Sequence, residues 1–296
     1  MNNIHEQLLS YVGKDTRINS NLKELMIDFI HEKKSYTFPF YQNCIEMYRA
    51  FSSEKNSKIH LIGLAIEYLI LALDIVDDIQ DRDSNYKWSE DPAQALNGVL
   101  GILLTSTYIL RSCDLKYSEM ACNIFECLVF RSIEGQIQDL KSEFIETSEY
   151  IEMVRLKSGS LSALSFIVGY VLATGKINSE IIRLGEIIGI TEQISNDIEG
   201  FTSISSKNDL YNKKVSLPIL YMVSKENELS EYILSYYRND NSSSDDIDRL
   251  KMIAKELEPV RFSIAQRILY RNRGRELVNG FKFPNNLQQY LLGILK

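Results

Sequence analysis

The chain has 296 residues, of which 45% are hydrophobic and 25% charged, and it contains only 14 Gly and 5 Pro. The turns of all-β proteins and the strand-to-helix loops of α/β proteins depend on these two residues, so their scarcity argues against both classes and predicts an all-α protein. Acidic residues (40) outnumber basic ones (33), giving a net charge of −7. This balance excludes broad nucleic-acid binding, because such binding needs many cations to neutralise phosphates.

Apolar residues recur every three or four positions through almost the whole chain, which is the spacing of amphipathic helices. In chain order the pattern predicts helices at 3–12, 19–33, 40–53, 57–82, 92–111, 116–143, 147–174, 178–201, 214–224, 227–237, 246–272 and 286–295. Segments 61–76 and 161–173 are apolar nearly all round, as in helices at the centre of a large bundle. No Pro-, Gly- or Ser-rich linker divides the chain, so we expect a single domain over residues 1–296, a helical bundle around a central cavity.

Two features of the sequence indicate the cellular compartment of the protein. The four cysteines form no CxxC pair and lie in apolar helical sequence, which indicates buried or idle thiols in a reducing environment. The first ten residues lack the basic and apolar regions of a signal peptide, and the apolar stretches 98–110 and 161–175 are too short or too polar to cross a bilayer. We therefore expect a soluble, cytoplasmic protein, with peripheral contact to a membrane left open.

Five aspartates follow the apolar run of the helix predicted at 57–82: Asp74, Asp77, Asp78, Asp81 and Asp83. Residues four apart share a helix face, so Asp77 and Asp81 repel each other, and acids are also unfavourable at the C-terminal end of a helix. A divalent cation would offset this charge; Mg²⁺ binds one or two carboxylates and completes its shell with water and phosphate oxygens. The alternative is a solvated acidic helix end, since a DDxxD pattern alone is a weak signal.

Further polar patches accompany these aspartates in a fixed order: Glu67 upstream, then GQIQD (135–139), Lys157-Ser158, QISND (193–197) and KNDLYNKKVSLP (207–218). The series resembles the trans-isoprenyl diphosphate synthases, whose pattern runs E…DDxxD, GQxxD, KT, QIxDDxxD and KD…KxTxP. Within that superfamily, DIVDDIQDRD (74–83) and MVRLKSGSLSAL (153–164) resemble the ComQ group. These bacterial transferases attach an isoprenyl group to a tryptophan of a peptide pheromone precursor in quorum sensing and competence.

The resemblance implies a Mg²⁺-dependent prenyltransferase that uses geranyl or farnesyl diphosphate. Asp77, Asp78 and Asp81 would bind Mg²⁺ ions that bridge to the diphosphate, so that stabilisation of the departing charge supplies most of the catalysis. The residues implied to contact the diphosphate are Lys157, which also counts as catalytic, and Lys207, Lys214, Gln136 and Gln193.

The second acidic motif departs from the pattern of the synthases. Alignment on Gln193 places Asn196, Asp197 and Gly200 where three aspartates are expected. An amide can ligate a metal only through its uncharged carbonyl oxygen, so we expect Asn196 and Asp197 to bind a third ion weakly. The expected cofactor is accordingly two or three Mg²⁺ ions.

A second departure from the pattern of the synthases bears on the acceptor substrate. Chain-elongating synthases carry a GKRxRP-like segment that grips isopentenyl diphosphate, whereas HEKKSYTFPF (31–40) has two lysines and no arginine. A diphosphate acceptor needs fixed cations, so we expect an aromatic side chain of the precursor peptide to be the acceptor. Two alternatives remain: a short-chain synthase that condenses with isopentenyl diphosphate, and a non-catalytic prenyl-synthase-like binding subunit. The choice of geranyl or farnesyl donor and a homodimeric state also remain open.

Overall fold

The computed structural model describes residues 4–33, 37–82, 86–141, 144–203, 208–239 and 244–296. Over these ranges the chain forms helices, turns and loops without strands, which confirms the all-α prediction. The α-helices are α1 (Ile4–Lys14), α2 (Ser20–Glu32), α3 (Pro39–Phe51), α4 (Ile59–Gln80), α5 (Pro92–Ser112), α6 (Ser118–Asp139), α7 (Thr147–Val154), α8 (Ser160–Thr174), α9 (Ser179–Thr202), α10 (Asp209–Asn212), α11 (Leu217–Val223), α12 (Glu228–Arg238), α13 (Ser244–Leu257), α14 (Pro259–Gly280) and α15 (Asn285–Ile294).

The predicted helix at 246–272 is wrong, because the structure has two helices there, α13 and α14. Glu258 separates them with φ of +52° in the left-handed region. The proline ring at position 259 clashes with a preceding residue in helical conformation, so the helix ends before Glu258 and a new one begins at Pro259. A further difference is the π-helical turn Arg155–Gly159, which joins α7 to α8 inside the helix predicted at 147–174.

The chain divides into two compact units, and each is formed by two stretches of sequence. The first unit comprises Met1–Cys127 and Leu164–Ile181. Its core helix is α4, whose residues from Ile62 to Ala72 are buried. Two hydrogen bonds fix α4 to its neighbours: Tyr68 donates to the Leu8 carbonyl at 2.6 Å, and Ser106 donates to the Ala65 carbonyl at 2.6 Å. The apolar body of α4 is thereby held, and its acidic C-terminal end emerges from the core.

The second unit comprises Leu128–Ala163 and Ile182–Lys296. One of its apolar clusters joins α7, α9 and α11 through the buried side chains of Tyr150, Met153, Val154, Ile190, Ile194, Leu217 and Leu220. A second cluster joins the end of α9 to α10, α11, α12 and α13. The prediction of one domain around a central cavity stays a prediction.

Among the described residues, three helical stretches are long and apolar enough to cross a membrane: Ile59–Gln80, Pro92–Ser112 and Thr147–Thr174. They are longer than the apolar stretches considered from the sequence. In the first and third, 72% of the most apolar window is buried inside the protein, whereas in Pro92–Ser112 only 50% is. The partly exposed helix α5 presents a stripe of side chains four residues apart: Leu96, Leu100, Leu104 and Tyr108. The cytoplasmic location stays a prediction.

Candidate active site

The first acidic motif occupies the last turn of α4. Asp77 and Asp78 are half-buried, and the exposed Asp81 continues the helix by donating its backbone N–H to the Asp77 carbonyl at 2.8 Å. Asp77 and Asp81 therefore lie one turn apart, as their spacing predicts. The carbonyl end of the helix adds its own negative partial charge, so this end of the first unit favours a cation.

Trp88 sets the direction of one of these carboxylates. Its indole Nε1–H donates to Asp78 Oδ2 at 3.1 Å, and the residue is 3% exposed. The indole is fixed by an edge contact with Phe29 and a stack on Tyr86, with ring centroids 5.7 and 4.7 Å apart. No sequence motif predicts a role for Trp88; its one distinguishing feature is that it is the single tryptophan of the chain, ten residues after Asp78.

Lys33 lies between two carboxylates of α4. Its Nζ is 3.3 Å from Asp74 Oδ2 and 3.9 Å from Glu67 Oε2. Glu67 is buried, and its Oε1 accepts the backbone N–H of Tyr41 in the first turn of α3 at 2.8 Å. Burial raises the pKa of Glu67 to about 6, against the lowering effect of Lys33 and of this hydrogen bond. The ammonium group of Lys33 thus neutralises Asp74 and Glu67 within the first unit.

The donor chemistry of the first motif suits Mg²⁺. Among the described residues no three His, Cys, Asp or Glu side chains form a preformed metal cluster. Mg²⁺ does not need one, since it commonly takes only one or two carboxylates and fills its shell with water and substrate phosphate oxygens. Asp77, Asp78 and Asp81 place such oxygens at the solvent-facing end of a rigid helix. Their predicted role as metal ligands fits this placement and stays a prediction.

In the second unit, Lys157 lies in the π-helical turn and pairs with Asp139 at the end of α6. Lys157 Nζ is 2.6 Å from Asp139 Oδ2, with 18% and 23% of the two side chains exposed. A side chain at Gly135 would collide with the backbone of Lys157, so only glycine permits α6 to approach the turn this closely. Turns of π-helix inside α-helices are frequent at functional sites, and this one presents a half-buried ammonium group paired with the Asp139 carboxylate.

A chain of hydrogen bonds connects the same turn to α9. Ser158 donates to Gln193 Oε1 at 3.0 Å, and Gln193 Nε2 donates to Asp197 Oδ1 at 3.0 Å. The other oxygen of Asp197, Oδ2, accepts the Tyr150 hydroxyl and the Leu217 backbone N–H, the latter at 2.9 Å. Burial raises the pKa of Asp197, whereas these hydrogen bonds and the charge of Lys214 act in the opposite direction. Burial also raises the pKa of Tyr150 well above its usual value, and the neighbouring Asp197 adds to that rise.

The remaining predicted residues are placed as follows. Asn196 and Lys214 are exposed, and Gln136 is half-buried on α6. Lys207 lies outside the described residues. The structure therefore brings the three aspartates together in the first unit, and it joins Lys157 to Asp139 and Gln193 to Asp197 in the second. Sequence reasoning missed Tyr150, because its partner is 47 positions away in the chain.

Known proteins that are similar to most of this chain include a family and several individual relatives. Residues 41–254 match the family model for polyprenyl synthetase. The Tryptophan prenyltransferase ComQ of Bacillus subtilis subsp. natto (strain BEST195) is 33% identical over 88% of this chain and 81% of its own length. The protein of the same name from Bacillus spizizenii is 33% identical over 76% of this chain and 79% of its own length.

Solved structures show the same fold at much lower sequence identity. A geranylgeranyl pyrophosphate synthase from Lactobacillus brevis superposes with a TM-score of 0.83 at 16% identity, covering 99% of this chain and 94% of that one. A polyprenyl synthase from Caulobacter crescentus, complexed with calcium and isoprenyl diphosphate, gives a TM-score of 0.80 at 14% identity, covering 98% and 91%. The chain is therefore a prenyltransferase of the all-α isoprenoid synthase fold, and it belongs to the polyprenyl synthetase family and, within it, to the ComQ-type transferases.

Proposed function

We propose that this chain transfers a geranyl or farnesyl group from its diphosphate to a tryptophan side chain of a peptide pheromone precursor, in a Mg²⁺-dependent reaction. The names of the ComQ relatives, which match most of the chain, support a tryptophan acceptor. In the structure, the observation that carries the proposal is the engagement of Lys33 by Asp74 and Glu67.

The engagement of Lys33 bears on the charge of the acceptor. By resemblance, segment 31–40 would be the one that grips a second diphosphate. Within its described part, Lys33 has only 18% of its side chain exposed and lies beside Glu67, whose side chain is 2% exposed. Moving this ammonium to a diphosphate would leave a buried carboxylate without its nearby cation, which is strongly unfavourable. A neutral indole makes no such demand, so it fits this unit better than isopentenyl diphosphate does.

The described residues provide groups that would assist the departure of the diphosphate. Asp77, Asp78 and Asp81 would hold Mg²⁺, which supplies positive charge that stabilises the departing diphosphate. In the second unit, Lys157, oriented by Asp139, and Lys214 are the lysines that the resemblance assigns to hydrogen bonds with a diphosphate. The bond between the allylic carbon and the diphosphate oxygen breaks, and its electron pair leaves with the diphosphate. An electron pair of the indole then forms the new C–C bond, and neutrality returns when the indole nitrogen, or a backbone nitrogen that closes onto the ring, loses its proton.

One assay separates this proposal from its alternatives. The intact chain is incubated with Mg²⁺ and geranyl or farnesyl diphosphate, together with a tryptophan-containing precursor peptide, the same peptide with phenylalanine in place of tryptophan, or isopentenyl diphosphate. We expect mass spectrometry to show one isoprenyl group added to the tryptophan peptide alone. A lengthened diphosphate would refute the proposal in favour of a short-chain synthase. Absence of turnover with every acceptor would refute it in favour of a non-catalytic binding subunit.

The metal-binding role is tested by substitution. We expect Asp77→Ala and Asp78→Ala each to abolish transfer, while circular dichroism shows a folded protein, because the aspartates lie at a helix end outside the apolar core. Asp114→Ala is the matched control, since it removes an aspartate with 96% of its side chain exposed. Full activity in both motif variants would contradict the assignment.

A further inference from the structure

The loop between α10 and α11, which carries Lys214, is tied down on both sides of that residue. The Lys214 backbone N–H donates to the Asp209 carbonyl at 3.0 Å, and its own carbonyl accepts the Tyr237 hydroxyl at 3.2 Å. Lys213 adopts the left-handed region with φ of +52°, a conformation that a non-glycine residue keeps only when its surroundings impose it. The backbone at Lys214 therefore has a fixed path, although its side chain is exposed.

Two buried carboxylates hold the far end of this loop. Asp209 Oδ2 accepts the Ser216 hydroxyl at 2.7 Å, and Asp197 Oδ2 accepts the Leu217 backbone N–H at 2.9 Å. Leu217 is the first residue of α11, so Asp197 satisfies one of the N–H groups that the start of a helix leaves without an internal partner. Both aspartates are 5% exposed. Both carboxylates thus accept hydrogen bonds from residues that follow Lys214 closely in the sequence.

Asp197 is poorly placed to ligate a metal ion. It accepts from Tyr150 and Leu217 on one oxygen and from Gln193 on the other. A carboxylate offers about four lone-pair positions, and three of these face protein donors in a buried site. A metal could bind there only if donors were released and the side chain were exposed, and the Tyr150 hydroxyl or the Leu217 N–H would then be left buried without a partner.

The presence of Gly200 in the second acidic motif is explained by the position of Asp209. A side chain at Gly200, where the synthases carry an aspartate, would place its Cβ 2.6 Å from Asp209 Oδ1. The carboxylate of Asp209 thus occupies the space that a third acid of the motif would need. Glycine at position 200 therefore makes room for the buried Asp209 carboxylate, which is directed at Ser216 in the loop.

We propose that Asp197 and Asp209 are positioning residues that hold the loop of Lys214 for diphosphate binding, and that Asp197 is not a metal ligand in this chain. This rests on the proposed function in one respect, namely that a diphosphate is what Lys214 binds. The role of the acids themselves is argued from the hydrogen bonds of the second unit. Of the two acidic motifs, the first then carries the metal-ligating carboxylates, and Lys214 supplies fixed positive charge for the diphosphate.

The test measures binding of inorganic diphosphate and of Mn²⁺ to the intact chain by isothermal titration calorimetry, without peptide or turnover. The variants are Lys214→Ala, Asp197→Ala, their combination, and Asp78→Ala as a comparison for metal binding. Asp248→Ala, an exposed aspartate of α13, is the matched control. We expect Lys214→Ala and Asp197→Ala each to weaken diphosphate binding about tenfold, and the double variant to be no weaker than Lys214→Ala, because Asp197 acts through that lysine. We expect Asp197→Ala to leave Mn²⁺ affinity within about twofold, whereas Asp78→Ala lowers it.

If Asp197→Ala fails to fold, Asp197→Asn tests metal binding, and the positioning of the loop is tested by Ser216→Ala, which removes only the bond to Asp209. Its expected effect is about threefold weaker diphosphate binding, which disappears when Lys214 is also replaced. Loss of Mn²⁺ affinity in Asp197→Ala equal to that in Asp78→Ala, or additive effects with Lys214→Ala, would overturn this proposal alone. Failure of the unsubstituted chain to bind diphosphate would overturn the proposed function, and this proposal with it.

Discussion

Replacement of Glu67 by glutamine is expected to stabilise the protein at neutral pH. The pKa of Glu67 rises from its ordinary 4.5 to about 6, because the folded protein buries the carboxylate. Each pKa unit corresponds to about 1.4 kcal/mol, so holding the ionised form in the folded state costs about 2 kcal/mol at pH 7. Glutamine keeps an oxygen that can accept the Tyr41 N–H, and Lys33 keeps Asp74 as a partner.

The sign of the pH dependence follows from the direction of the shift. A carboxyl group whose pKa is raised on folding contributes its full stability below the unfolded pKa and loses it as pH rises through the folded pKa. Urea unfolding should therefore show Glu67→Gln and the parent equally stable near pH 4, diverging between about pH 4.5 and pH 6 to a gain of about 2 kcal/mol for the variant at pH 7. Glu54→Gln, at an exposed position, should match the parent throughout. A gain that is absent, or constant with pH, would refute the burial argument.

Three further outcomes follow from the site. Trp88→Phe keeps an aromatic ring but removes the indole N–H that orients Asp78, so we expect a several-fold weaker Mn²⁺ affinity, measured by calorimetry, in a protein that still folds with a lower thermal midpoint, because the smaller ring leaves a cavity; unchanged affinity would contradict an orienting role. Asp139→Asn removes the carboxylate that holds Lys157, and we expect a rise of about tenfold in KM for the allylic diphosphate with a smaller change in kcat; a change in kcat alone would argue against the pairing. Gly135→Ala drives a methyl group into the backbone of Lys157 and should lower unfolding free energy by at least about 2 kcal/mol in urea; a neutral effect would show that the π-helical turn can move aside.

The helices could be read from the sequence because their cause is local. Apolar residues at three- and four-residue spacing fix which face of each segment is buried, and the bounds of α4 and α9 agree with the predicted ones to within two residues. The prediction failed at Glu258, where the proline that follows stops one helix and starts another without a loop to mark the change.

The acidic end of α4 could also be predicted, since the repulsion among Asp77, Asp78 and Asp81 depends only on their spacing along one helix. The state of the second motif could not be predicted in the same way. From the sequence, Asp197 is an acid beside an asparagine in a degraded metal motif. In the fold it accepts hydrogen bonds from Tyr150, 47 positions earlier, and from Leu217, 20 positions later. Neither partner can be inferred from local spacing, because the packing of α7 and α11 on α9 brings them together.

The sequence by itself determined the all-α class and the family, because these follow from composition, periodicity and the order of short motifs; the residues that the resemblance assigns to the diphosphate stay predictions. Only the tertiary structure decided what each charge faces. It pairs Lys33 with buried Glu67, aims Asp78 with the indole of Trp88, and turns Asp197 and Asp209 toward the loop of Lys214. The physical reason is that burial and hydrogen-bond partners determine the pKa and the free lone pairs of an ionisable group, and residues distant in sequence supply both.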